Sequence, residues 1–194
     1  MPRWSILVLL VLLVGCSGDG GDDAAPNDSP SAEVSLDPEL RDELVAMLAE
    51  DQEERTGGGT IEDEPRTARL KEIIEEHGWP GYDLVGEEGE DAAWALAQHA
   101  DLDPEFQQQA LELLRDAVAE GQASPGNLAY LEDRVAVAQG RPQVYGTQMG
   151  CGKKGPVPAT PIEDPAQLDQ RREEAGLPPH EEYVAEMAEV CAMP

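Results

Sequence analysis

A chain of 194 residues with 40% apolar but only 4% aromatic residues has room for one domain, with a core of Leu, Val and Ala rather than rings. Its 41 acidic against 13 basic side chains give a formal charge of −28, which repels phosphate backbones and excludes nucleic acid as a partner. The charge reads as a solvated acidic coat. Calcium binding is the alternative, but the spaced Asp/Asn–Gly loop that cradles calcium is not present.

The first element is an address. Arg3 precedes the apolar run Ile6–Val14, which is too short to span a bilayer and matches the apolar core of an export signal. The run ends in Leu13, Val14, Gly15 and Cys16. These residues resemble the lipobox of bacterial lipoproteins, in which the cysteine is lipidated and becomes the first residue of the mature chain. An ordinary secretory signal or a short membrane anchor is the alternative. The expectation is therefore a lipoprotein signal peptide over 1–15 and a membrane attachment through lipid on Cys16. A Gly-, Asp-, Ser- and Pro-rich tether with little to bury follows over 16–36, and the folded domain occupies 37–194.

Helices in that domain announce themselves by their ends. Asp37-Pro38, Asp103-Pro104 and Asp164-Pro165 each supply an N-cap carboxylate and an N1 proline, and Gly78, Gly121, Gly140 and Gly176 stand where C′ residues belong. The pattern predicts helices over 38–54, 65–77, 90–100, 104–120, 126–139, 165–175 and 180–190. The first carries Leu40, Leu44, Met47 and Leu48 on one face, a stripe that continues into Asp51 and Arg55. The second turns Leu70, Ile73 and Ile74 inward, with His77 continuing that face. Ala92–Ala97 is apolar all round, which puts the third helix at the centre. GWP at 78–80 reads as a helix stop, with Trp79 folding back onto the last turn of the second helix.

Beyond Gly140 the period changes. Gln143–Gln148 reads as a short strand, Met149–Gly155 as a loop, and Pro156, Pro158 and Pro161 confine any partner strand to an edge. The expected architecture is mainly α: a compact bundle of five to seven helices with one short β-hairpin near 142–162. GCGKKG is not a phosphate loop, because Pro156 stands where that motif needs its lysine.

Export also sets the redox compartment. With Cys16 used for lipid, Cys151 and Cys191 remain, and one disulfide between them is expected outside the cytosol. Neither has a second ligand at close spacing, so no metal and no cofactor is expected.

The candidate chemistry lies in His99 and Asp101, two residues apart. They suit a general base and its orienting group, although a histidine at a helix end is more often a hydrogen-bonded core residue. Arg134, like Arg171 and Arg172, is expected to offset inward carboxylates such as Asp51; an anion clamp is the alternative. Gln143, Tyr145 and Gln148 are good hydrogen bonders and poor nucleophiles. With Asp51, Arg55, His99, Asp101 and Arg134 they form the expected ligand site, behind the alanine-rich helix.

GWP, AAW followed by QHAD, AYLEDRV, GRPQVYGTQ, and PIEDP followed by RR and GL together resemble an uncharacterised bacterial family, known only as a domain of unknown function and often exported. The likeness runs over about Leu40 to Tyr183. It implies one mostly helical domain with Asp51, Gln52, His99, Asp101, Asp133, Arg134, Gln143, Tyr145, Thr147, Gln148 and Arg172 as motif polar residues, and it implies no activity. Three functions follow as expectations: an envelope module binding a small polar ligand or partner protein, a hydrolase-like enzyme using His99 and Asp101, or a purely structural envelope protein.

Overall fold

Where the prolines and glycines fall decides most of the element boundaries. In the computed structural model, which describes residues 36–57 and 60–192, α1 (Pro38–Gly57) starts at an N-cap whose Asp37 side chain accepts the backbone N–H groups of Glu39 and Leu40. Then come α2 (Asp63–His77), α3 (Tyr82–Gln98), α4 (Pro104–Ala119) and α5 (Pro125–Ala138). Asp103 and Ser124 cap α4 and α5 by accepting from Phe106 and Asn127. After α5 come the strands β1 (Met149–Gly152) and β2 (Gly155–Pro158), a 3₁₀ turn at Pro165–Gln167, α6 (Leu168–Glu174) and α7 (His180–Ala192). The leader, Cys16 and the tether up to residue 35 lie outside the described residues.

The core is built around α3. Ala92, Ala93 and Ala97 are fully enclosed and Leu96 nearly so, and α1, α2, α4 and α5 all pack against this helix. Small side chains let four neighbours approach one rod closely, and Leu44, Leu70, Ile73, Leu114 and Leu131 fill the space between them. Burying each such side chain is worth about 2 kcal/mol. α3 begins well before the predicted residue 90. Gly86, at φ +70°, kinks it, so a short turn from Tyr82 joins the longer rod.

Three expectations are corrected beyond Gly140. Gln143–Gln148 is not a strand: its Val, Tyr and Thr favour an extended chain, but Asp133 of α5 takes its backbone donors. The two Asp133 oxygens accept from the N–H groups of Val144, Tyr145 and Thr147 and from the Thr147 hydroxyl. The predicted loop at 149–155 is instead the hairpin, with Met149 opposite Pro158 and Cys151 opposite Pro156 in antiparallel register. Asp164 does not cap a helix; it sits at φ +36° and a 3₁₀ turn follows. Gly146, at φ +65°, is required, because a Cβ there would lie 2.8 Å from Ile162 Cδ1 and 3.0 Å from His180 Nε2.

Cys151 is bonded to Cys191, with Cα atoms 5.4 Å apart, so α7 is tied to the hairpin. No residue of α7 is buried. Tyr183 reaches inward from it, donating its hydroxyl to the Thr147 carbonyl at 2.7 Å and lying edge-on to Tyr130. The guanidinium of fully buried Arg172 sits over the Tyr183 ring, 5.2 Å from its centre.

Candidate functional site

The inward stripe of α1 delivers a charge to the core. Asp51 is fully buried, three turns after Leu40, and its Oδ2 lies 2.9 Å from Nδ1 of His99 at the end of α3. The ring N–H is misaligned with that contact, which is a close approach rather than a well-formed hydrogen bond. Arg55, one turn on from Asp51, places Nε 3.0 Å from both carboxylate oxygens, and Gln52 donates to Oδ2 at 2.8 Å. Arg55 also reaches Asp63, and nearly buried Arg66 binds Glu54 at 2.6 Å, both on the same side of the cluster.

Electrostatics then separate the two partners. Burial pushes the Asp51 carboxyl up, but the Arg55 hydrogen bonds and the charges of His99 and Arg55 outweigh it and hold the group below its usual range. Burial pushes the His99 imidazole down; Asp51 opposes this, while Arg55 and Arg134 reinforce it. At neutral pH the pair is thus a carboxylate beside a neutral imidazole. A carboxylate 2.9 Å from Nδ1 calls for the proton on that nitrogen, which leaves the Nε2 lone pair free. The His99 side chain is 24% exposed.

Asp101 is not the residue that orients His99, contrary to expectation. Its two oxygens take the Nε and Nη2 of Arg134 in a two-pronged pair, and Gln107 donates to it at 3.1 Å. The third arm of Arg134, Nη1, meets Oε1 of Gln148 at 3.2 Å. Gln148 is fixed in turn by donating to the Tyr130 carbonyl and the Thr147 hydroxyl. Asp101, Arg134 and Gln148 line a hollow of ≈ 300 Å³ with Val137, Ala138, Met149 and Ala159. On the other side of the turn after α3, Asp63, Thr67, Lys71, Leu102 and Asp103 line one of ≈ 270 Å³. His99 lines neither.

The eight expected site residues therefore divide. Asp51, Arg55 and His99 meet, and Asp101, Arg134 and Gln148 meet across the same turn. Gln143 and Tyr145 do not join them. Gln143 is fully buried and acts as a backbone brace, its amide bonding the N–H and C=O of Gln148 and the carbonyl of Thr160. The Tyr145 ring lies among Glu132, Asp133, Arg171 and Arg115, where burial pushes its hydroxyl pKa up. Arg171 and Arg172 bind carbonyls, of Val144 and Glu163 and of Tyr145 and Pro178, rather than offsetting Asp51. His77 is exposed, not inward. Arg66 is the residue sequence reasoning missed. It stands in the first turn of α2, where a cation opposes the helix dipole, and that misplacement was its one legible signal.

Fold and site together define a helical bundle with a short hairpin, in which a buried acid backs a surface histidine. Residues 52–193 match a family of unknown function (DUF6624), and the chain belongs to that family. No curated protein and no solved structure matches it.

Proposed function

We propose that this is an exported, lipid-anchored domain in which the Asp51–His99 pair transfers a proton in a hydrolase-like reaction on a small polar substrate. The observation that carries this reading is the pairing itself: a fully buried carboxylate 2.9 Å from Nδ1 of a histidine whose side chain is 24% exposed. A neutral imidazole backed by an acid is a general base near neutral pH, and such a group contributes about 10²- to 10⁴-fold to a rate. Asp51, not Asp101, is the orienting residue in this reading.

Carbethoxylation of the full-length chain in detergent tests it. His99 should react readily, alongside exposed His77, and Asp51→Asn should change the pH dependence at His99 alone. A His99 that stays unmodified while His77 reacts fully would remove the reading. In a screen of ester, amide and phosphoester substrates, any turnover should fall about 10²-fold or more in His99→Gln. Turnover unchanged by that substitution would count equally against it.

Binding without chemistry is the second reading, favoured by the hollow beside Arg134 and Gln148, which His99 does not line. The sequence of the leader supports attachment through Cys16. Radiolabelled palmitate should enter the wild-type chain and not Cys16→Ser, and labelling of the variant would argue for a different anchor.

A further inference from the structure

In a chain with so few cations, Arg134 is placed unlike the others near His99. Arg55 and Arg66 are each shared among two or more carboxylates at the Asp51 cluster. Arg134 has one carboxylate partner, Asp101, whose side chain is 55% exposed. The partner is gripped in the planar two-pronged geometry that a guanidinium also offers to a free carboxylate or a phosphate.

The surroundings of that fork are built to last without Asp101. Arg134 projects from the middle of α5, and its Nη1 is held by Gln148, itself anchored through Tyr130 and Thr147. The hollow beside it is lined by the charged Asp101 and Arg134 and by Gln148, together with the apolar Val137, Ala138, Met149 and Ala159. Asp101 belongs to the exposed turn after α3 and has one further donor, Gln107 at 3.1 Å, while Arg134 belongs to a packed helix, so the acid is the partner that gives way. An exposed ion pair contributes little net free energy, and a competing oxyanion displaces it at small cost.

We propose that Arg134 anchors an anionic group of the ligand, a carboxylate or phosphate, and that Asp101 occupies the anchor as a placeholder until the ligand displaces it. The ligand class is a small molecule with one oxyanion on the fork and a short apolar stretch against Val137, Ala138, Met149 and Ala159. Asp101 is two residues from His99, so the released turn lies next to the proposed proton-transfer group. The assignment of the ligand as a substrate rests on that reading; the anion site itself does not.

The test is titration of the full-length chain in detergent with butyrate in one arm and inorganic phosphate in the other, at constant ionic strength set with chloride. The readout is the side-chain Nε resonance of Arg134, assigned by its loss in Arg134→Gln. Butyrate or phosphate should shift that resonance, and the tighter arm identifies the oxyanion. Asp101→Asn should bind roughly fivefold tighter, because it removes the internal competitor. Gln148→Ala should bind more weakly, and a normal melting curve for each variant confirms folding. Should Asp101→Asn fail to fold, Asp101→Ser serves the same comparison. Unchanged affinity in Asp101→Asn, or no shift of Arg134 with either probe, overturns the proposal. His99→Gln should leave anion binding intact, so failure of the proton-transfer reading and failure of the anion anchor give different results.

Discussion

Asp51 and His99 stand 2.9 Å apart although 48 residues of chain separate them, and only the acid is fully enclosed. That asymmetry sets a charge-neutralised interior against a partly exposed imidazole, and it carries consequences for stability.

Substituting Asp51 by Asn should destabilise the fold by about 3 kcal/mol, because Arg55 and Arg66 lose the buried charge between them. The Asp51 carboxyl is held below its usual 3.8, so its contribution is present above that pH and is lost as pH falls through the lower folded value. Denaturant titrations from pH 6 to pH 3 should show a shallower acid loss in Asp51→Asn than in wild type. Parallel curves would show that the pair does not govern acid stability.

His99 acts in a neighbouring window. Its imidazole is pushed below the usual 6.5, so the stability tied to its neutral form is present above pH 6.5 and falls as the folded group protonates. Proton NMR of the ring should place its midpoint below 6.5, and Asp51→Asn should lower it further. A midpoint above 6.5 in the wild type would contradict the geometry.

Glu90 has the opposite sign. It is fully buried on α3, receives hydrogen bonds from Trp79 Nε1 at 3.3 Å and Asn127 Nδ2 at 3.1 Å, and burial pushes its carboxyl up to about 7. The neutral form is favoured in the fold, so its stability is present below 4.5 and is lost as pH rises through about 7. Between pH 5 and pH 8 the loss should approach about 3 kcal/mol at most. Glu90→Gln, melted at both values, should lose less stability than wild type on going to pH 8; an equal loss would assign the effect elsewhere.

Asp133→Ala should free the loop that carries Gln148. Three backbone N–H groups and one hydroxyl lose their acceptor, at a cost of about 3 kcal/mol or more for several buried donors. Hydrogen exchange should accelerate at residues 144–147 well before the helices respond. Uniform acceleration across α1–α5 would mean that Asp133 supports the bundle as a whole.

Free-thiol titration of the purified chain should find no thiol at Cys151 or Cys191 before reduction. Closing a loop of 40 residues corresponds to about 4 kcal/mol of unfolded-state entropy. Reduction should detach α7 first, since no α7 residue is buried. Two reactive thiols without reductant would remove the tie from the native protein.

Much of the helical frame was legible because its signals are local. Proline at N1 marks the starts of α1 and α4, glycine past the last turn marks the ends of α2, α4 and α5, and the alanines of α3 could only be central. Asp51 was visible as a charge continuing an apolar stripe, which is a costly position unless a partner waits inside. Its partner was not visible. Asp101 is near His99 along the chain and Asp51 is not, and helical geometry turns near neighbours away from one another as readily as toward.

The amino-acid sequence by itself determined most of the helices, the strong net acidity and the family, because propensity, capping and composition act over a few residues. Tertiary structure alone decided which acid faces His99, that the Gln143 side chain bonds backbone groups of Gln148 and Thr160, and where the hairpin lies. Those outcomes depend on which distant donor reaches a buried acceptor first, as Asp133 does for residues 144–147, and no local pattern encodes that contest.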